Sequence, residues 1–191
     1  MSIKTATFLL LLCGCMTTAV YAQPPKKWYG LIQPGVVFNA PEVTVQPGIA
    51  GGFQWKGFGA GLGVNMDFLK VRSLQPVLDL RKTLRLGKIK LLGYAAPGFN
   101  IVTPSRNNRK QLVQEYWTDY DCKNGYYLEA GSGILFGKKK NLLTAFYWSR
   151  KTYSVSYNYS EWDPITQSLE VNQRTHEHEL NRLGIRLGFL F

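Results

Sequence analysis

The residue types best suited to chemistry stand together near the end of the chain, in the run His176-Glu177-His178-Glu179. On a β-strand, residues two apart share a face, so both imidazoles are placed to ligate one metal ion. Two histidines alone leave such a site incomplete. The same run is also typical of a hydrated strand that continues beyond a membrane, so we assign no metal ligand and no cofactor.

A catalytic triad needs a base and an orienting acid beside its nucleophile. The chain has only two histidines to serve as that base. The series Gly59, Gly61, Gly63 has the spacing of alternate strand residues rather than that of a nucleotide-binding loop. We therefore expect no catalytic residue and a protein that is not an enzyme.

The first residues indicate export. Lys4 precedes an apolar core at residues 6–16, and Val20-Tyr21-Ala22 has the features of a cleavage site. We predict a signal peptide over residues 1–22 and one domain over residues 23–191. The alternative is that Cys15 closes a lipobox and is lipidated.

Composition limits the possible partners and folds. The chain has 23 Lys and Arg against 12 Asp and Glu. Because export removes it from nucleic acid, we expect the basic excess to contact lipopolysaccharide phosphates. No apolar run after residue 22 reaches the length of a spanning helix. Only Cys122 remains there, so we expect no internal disulfide.

The last ten residues alternate in polarity and end on an aromatic residue. One face is apolar (Leu183, Ile185, Leu187, Phe189, Phe191) and the other carries Arg182, Gly184, Arg186 and Gly188, with Leu190 as the exception. This period predicts a strand with one lipid-facing side. The stretch resembles the closing strand of bacterial outer-membrane β-barrels. That resemblance implies that the barrel assembly machinery recognises the chain through Phe191.

Similar alternation predicts seven further strands, at residues 28–39, 44–55, 58–69, 74–86, 89–101, 126–136 and 142–157. The expected fold is all-β, a transmembrane antiparallel up-and-down β-barrel of about eight strands. Its layout is similar to the OmpX and OmpA-transmembrane type. A closed barrel has no edge strand to host Pro34, so we expect a bulge or a shifted strand there.

An even number of strands places both termini on the same side of the membrane, which is the periplasmic side in outer-membrane barrels. Short turns at Lys56-Gly57, Gly87-Lys88 and residues 137–141 then face the periplasm, and two long loops, residues 102–125 and 158–175, face outward. The first loop mixes charged and aromatic residues. That mixture suits binding of a glycan or a protein, and equally suits a loop that packs on itself.

The polar strand faces are predicted to line the lumen with charged residues, namely Asp67, Asp79, Arg81, Arg85, Glu129, Arg182 and Arg186. An eight-stranded barrel is only just wide enough for side chains, and an unpaired buried charge is costly. We therefore predict an interlocked ion-pair network in a filled lumen that does not conduct ions.

These observations favour a non-enzymatic surface protein of the bacterial outer membrane that binds or adheres through the two long loops. Two other classes stay open. A lipid A-modifying enzyme of the outer membrane needs polar groups clustered at the outer leaflet, and the His-x-Ser pair of the deacylase type is absent. A soluble, lipocalin-like periplasmic carrier needs its apolar strand faces to point inward.

Overall fold

The computed structural model describes residues 27–39, 42–87, 89–103, 120–137, 141–163 and 168–191. The predicted signal peptide and Cys15 lie outside these residues. In the described part, no helix is long and apolar enough to cross a membrane. The strands are β1 (Lys27–Ile32), β2 (Gly35–Asn39), β3 (Glu42–Gln46), β4 (Gly48–Trp55), β5 (Phe58–Asp67), β6 (Ser73–Leu86), β7 (Ile89–Val102), β8 (Tyr120–Lys123), β9 (Gly125–Phe136), β10 (Leu142–Asp163) and β11 (Ser168–Leu190).

The strands close into an antiparallel ring. In order, β11, β1, β4, β5, β6, β7, β9 and β10 pair with their neighbours, and β10 pairs again with β11. Segments β1 and β2 are two halves of the first wall strand, and β3 and β4 are two halves of the second. The prediction of an all-β, eight-stranded antiparallel barrel is confirmed.

Pro34 divides the first wall strand without displacing it. Leu31 pairs with Leu190 and Gly35 with Arg186, so the register is the same on both sides of the proline. The expected bulge or shifted strand is therefore wrong. The Pro34 carbonyl still accepts a hydrogen bond from the Leu187 N–H at 3.0 Å, and only the donor that proline lacks is lost from the ladder.

Apolar side chains point outward all around the barrel. On β11, Leu183 and Leu187 are 64% and 59% exposed, whereas Arg182 and Arg186 are 1% exposed. The same alternation holds along β4, β5 and β9, as predicted. A belt of this kind is stable only where lipid covers it. Lys82 interrupts the belt, and its ammonium lies 3.3 Å from the centre of the Phe58 ring.

The turns at the end predicted to face the periplasm follow the predicted positions. Lys56 and Gly57 both have positive φ, at 48° and 78°, as the two central residues of a type I′ hairpin require. Gly87 and Gly137 also have positive φ, at 58° and 89°. Glycine meets this requirement without a steric cost, which explains why each turn contains one.

The outward end of the barrel differs from the prediction. Strands β10 and β11 stay paired from Leu142↔Phe189 to Asp163↔Ser168, so residues 158–163 and 168–175 are strand and the predicted loop 158–175 is wrong. Within the predicted loop 102–125, β8 pairs with β10. The register changes by one residue between Lys123↔Ser154 and Tyr127↔Lys151, which marks a bulge between β8 and β9. Residues 104–119 lie outside the described residues.

Candidate functional site: the filled lumen and the extracellular sheet

Six of the seven charged residues predicted to face the lumen do so. Asp67, Asp79, Arg81, Glu129, Arg182 and Arg186 are all at most 6% exposed. Arg85 is the exception, because it lies on the last, exposed turn-proximal part of β6. Its predicted place in the network is therefore wrong. Arg85 lies on the predicted face of β6, but this end of the strand extends beyond the packed interior of the barrel.

The sequence reasoning missed several lumen residues. Lys151 is fully buried, and so are neutral polar residues on β10 itself and on other strands, among them Gln46, Asn65, Gln75, Asn100 and Ser149. A signal for Lys151 existed, because it shares odd parity with Leu143, Ala145 and Tyr147, which all point inward. Both faces of lower β10 are apolar, which concealed that parity.

The cluster nearest the periplasm joins Asp79 with Arg81 and Tyr29. Arg81 forms an ion pair with Asp79, and the Tyr29 hydroxyl donates to Asp79 Oδ2 at 2.8 Å. The guanidinium also lies 4.6 Å from the centre of the Tyr29 ring. A Cβ at Gly59 would lie 2.6 Å from Arg81 Cγ, so this glycine makes room for the arginine, as predicted.

The central cluster is organised around Glu129. Arg186 pairs with it at 2.7 Å, and the Tyr127 hydroxyl donates to it. Gln46 donates to the Tyr127 hydroxyl at 3.1 Å and accepts from the Tyr147 hydroxyl at 2.8 Å. Side chains from four wall strands thus meet in one network, which makes the centre of the lumen a packed core.

The outer cluster is organised around Asp67. Its Oδ2 accepts hydrogen bonds from Lys151 at 3.1 Å and from Arg182, and its Oδ1 accepts one from the Leu69 N–H at 2.8 Å. Lys151 also donates to the carbonyl oxygens of Leu69 and Val71, at 3.3 and 3.1 Å. The connection between β5 and β6 is thereby held against the lumen.

Apolar layers cover the polar lumen at both ends. The outer layer consists of Leu69, Val71, Val102, Tyr153, Val155 and Leu180, with Cys122 packed against it. The periplasmic layer consists of Leu31, Leu92, Leu135, Leu143 and Ala145. Because the lumen is polar and the apolar faces point outward, the arrangement is the reverse of a lipocalin-like carrier, and that alternative is wrong.

The apolar belt ends at a polar rim on the outer side. Arg150 forms an ion pair with Glu179, and the Asn181 amide donates to Glu179 at 2.9 Å. The hydrogen bonds from Asn181 and Arg150 lower the pKa of the Glu179 carboxyl. On β10 and β11 the last outward apolar residues below this rim are Trp148 and Leu183.

Beyond the rim, β8 and the outer parts of β10 and β11 (residues 120–123, 153–163 and 168–178) form what we call the extracellular sheet, after the side of the membrane predicted for it. His178 stacks on Tyr153 with ring centres 4.8 Å apart, and His176 Nε2 lies 2.9 Å from the Tyr157 hydroxyl. Burial lowers the pKa of His178, and the neighbouring His176 and Lys70 act in the same direction. Within the described ranges, no group of three or more His, Cys, Asp and Glu has metal-binding geometry.

Comparisons with known proteins bear on the fold. The sequence matches no protein-family model and no curated protein. The crystal structure of the outer membrane protein OprG from Pseudomonas aeruginosa is similar, with a TM-score of 0.55 at 10% identity over 86% of this chain and 95% of that chain. The outer membrane protein AlkL, determined in DMPC lipid bilayers, gives a TM-score of 0.47 at 10% identity over 90% and 97%.

At 10% identity the likeness to OprG concerns the fold alone. The belt of lipid-facing side chains is independent of that likeness and points to the same environment. The narrower OmpX-like layout stays a prediction. The chain has the fold of a bacterial outer-membrane β-barrel, and the belt and the fold together place it in the bacterial outer membrane.

Proposed function

We propose that the protein is a non-enzymatic surface protein that binds an extracellular partner through the extracellular sheet. The observation that carries this proposal is the length of the β10–β11 hairpin. Its pairing continues for eleven residue pairs past the polar rim, from Tyr153↔His178 to Asp163↔Ser168. At the usual rise per residue, each strand runs on for ~36 Å beyond the rim.

The packed lumen supports a role as an anchor. Buried ion pairs fill its centre and apolar layers cover both ends. A cavity of about 10 Å³ lies between Arg81 and the periplasmic layer, which is room for a single water molecule. Such a barrel holds an external structure in place rather than providing a wide aqueous path.

The edge of β11 supports a particular mode of binding. Among the described residues, β11 pairs on the side away from β10 only through residues 183–190, which face β2, Pro34 and β1 in turn. No residue of the described ranges pairs with the outer backbone groups of residues 168–182, and we propose that they accept a strand from another molecule. Addition of an extended peptide to such an edge is a common mode of recognition.

Two membrane-side contacts follow from the same proposal. The cations Lys70, Arg72 and Lys123 are exposed at the outer mouth, and we propose that they contact lipopolysaccharide phosphates. At the other end, Phe191 is 68% exposed and its ring covers Gly30. We infer that the assembly machinery recognises the closing strand there before the barrel closes.

A shortened hairpin tests the binding role. In this variant an Asn-Gly turn joins Tyr153 directly to His178 and replaces residues 154–177, a geometry that suits two paired strand residues. The barrel should still fold and remain heat-modifiable on a gel. Cells displaying it should lose binding to an extended-peptide library and a glycan array, whereas the periplasmic-turn control Lys56→Ser should bind like the parent. Equal binding by the shortened and parent chains, or none by either, contradicts the proposal.

The topology is tested separately, by labelling in a Cys122→Ser background. A membrane-impermeant maleimide should label Glu177→Cys on intact cells, because this residue is exposed on the extracellular sheet. Lys56→Cys, in a periplasmic turn, should be labelled only after lysis. The opposite pattern would mean an inverted barrel.

A further inference from the structure

The buried charges of the lumen do not balance. Among the described residues, the cations that are at least nine-tenths buried are Arg81, Lys151, Arg182 and Arg186, and the carboxylates are Asp67, Asp79 and Glu129. Arg81 pairs with Asp79, and Arg186 with Glu129. Asp67 pairs with both remaining cations. The outer cluster therefore holds one excess positive charge.

Loss of the Lys151 proton does not explain this excess. The amine has three acceptors, namely Asp67 Oδ2 at 3.1 Å and the carbonyl oxygens of Leu69 and Val71 at 3.3 and 3.1 Å. Only the ammonium form has three protons to donate. The geometry is thus that of a charged lysine, and the excess charge stays in the cluster.

The same cluster contains hydrogen-bond donors with no partner among the described residues. Arg182 directs Nη1 at Asp67, while its Nε and Nη2 and the Ser149 hydroxyl are unpartnered. Both side chains are at most 1% exposed. Ser149 and Arg182 are direct cross-strand partners, so their Cβ atoms lie about 4.5–5.5 Å apart. Arg81 and Arg186 also have unpartnered guanidinium nitrogens, but among the described residues only the outer cluster combines such donors with an uncompensated positive charge.

We propose that the outer cluster binds one small inorganic anion of the chloride class between Arg182 and Ser149. Such an anion supplies both missing elements, a negative charge and an acceptor for the guanidinium and hydroxyl protons. A water molecule accepts hydrogen bonds but leaves the charge of the buried cluster uncompensated. The position between the outer apolar layer and the central cluster favours a monatomic anion over a phosphate or a carboxylate.

The test is thermal unfolding of the purified, folded protein in detergent. Chloride is titrated against gluconate at constant ionic strength, so that screening is the same in both series. A ligand that binds only the folded state raises the midpoint with the logarithm of its concentration. The midpoint should rise by several degrees over a roughly hundredfold range of chloride and stay flat in gluconate. Equal midpoints in both salts would overturn the proposal.

Variants locate the site. Lys151→Met removes the excess charge and should abolish the chloride dependence. Arg150→Met removes the same charge from the adjacent residue at the exposed rim and should leave the dependence intact. If Lys151→Met does not fold, Ser149→Ala is the substitute, because it keeps every charge and should weaken chloride binding. A chloride dependence unchanged in Lys151→Met, or in Ser149→Ala when that variant stands in for it, would place the anion elsewhere and overturn the assignment.

A crystal grown in bromide provides a direct readout. The anomalous signal of the bromide should lie between the Arg182 guanidinium and the Ser149 hydroxyl. A signal found only at other positions would overturn the proposed site even if the midpoint depends on chloride.

Discussion

The two halves of the β10–β11 hairpin have the same backbone pairing and opposite surroundings. Below the rim, its outward side chains face lipid and its inward ones enter the ion-pair network. Above the rim, its outward side chains are exposed polar residues such as Gln173 and Glu177, and its inner face packs tyrosines against histidines. The lower half is fixed by burial on one side and lipid on the other.

The difference shows that a continuous hydrogen-bonded register does not require one chemical pattern. Below the rim, a shift of the strand register by one residue would turn lipid-facing side chains into the lumen and buried charges toward lipid. The register is therefore strongly specified there. Above it, the register is inherited from the barrel. Substitutions should therefore be costly in the lower half and mild in the upper half.

The largest effect is expected for a buried ion pair in the lumen. Glu129→Gln leaves Arg186 without a counter-charge and should lower the free energy of unfolding by about 3–5 kcal/mol. At the rim, Glu179→Gln removes the partner of Arg150, yet water screens that pair and no measurable change is expected. Urea unfolding in detergent measures both. A second change, Arg186→Met, should recover part of the loss, and a lack of recovery would contradict the ion-pair explanation.

A charge on the lipid-facing belt should have the next largest effect. Leu187→Arg, near the middle of the outward row on β11, should cost about 2–4 kcal/mol and reduce the fraction of heat-modifiable barrel. Gln173→Arg places the same residue on the upper half of the same strand, where water solvates it. If both variants fold equally well, the belt does not face lipid.

A smaller loss is expected where a glycine makes room for an aromatic ring. A Cβ at Gly184 would lie 2.3 Å from Tyr147 Cζ, so Gly184→Ala must displace that ring and should cost about 1–3 kcal/mol. Gly93→Ala is the matched control, because nothing lies within 4 Å of its added Cβ. Chemical denaturation of the two variants gives the comparison, and equal stabilities would show that the ring moves freely.

The smallest effect is expected on lowering the pH, and only in the upper half of the β10–β11 hairpin. The folded sheet lowers the pKa of His178, so the neutral ring stabilises the sheet. This stabilisation is fully present above the ordinary histidine pKa of about 6.5. It is lost as the pH falls through 6.5 toward the lowered pKa. Hydrogen exchange, corrected for intrinsic rates, should speed up at residues 174–180 below pH 6.5 and stay unchanged on lower β11. His178→Phe should remove this dependence.

Most of the barrel was predictable because its two environments impose alternation on the sequence. Alternate residues reflect lipid on one side of the wall and a crowded lumen on the other, as in Leu62 beside Gly61 and Leu187 beside Arg186. The outer halves of β10 and β11 were not predicted, because an outward face in water does not require apolar residues to alternate with polar ones. Their pairing follows from the continued register with the barrel, which no local pattern records.

The candidate site divides in the same way. Charges on the polar faces of β5, β6, β9 and β11 could be assigned to the lumen by parity, whereas the depth of a residue along the strand could not. Arg85 lies on the lumen-facing side of β6 in the alternation, but beyond the packed layers. Lys151 lies in β10, where the lower part of the strand is apolar on both faces and does not show which face points inward. The position of a residue in the alternation predicts whether its side chain faces the lumen. Its position along the barrel axis depends on the stagger of the strands, which the sequence does not show.

The unbroken course of β10 and β11 from the outer tip to the periplasmic end also has a mechanical consequence. A partner bound near the tip pulls both strands lengthwise. The hydrogen bonds to β9 on one side, and to β1 and β2 on the other, are then loaded in shear, so many must break at once. The bonds of a loop joined at a single point would instead be peeled apart one by one. The same hairpin that contacts the partner is thus built to resist tension along the barrel axis.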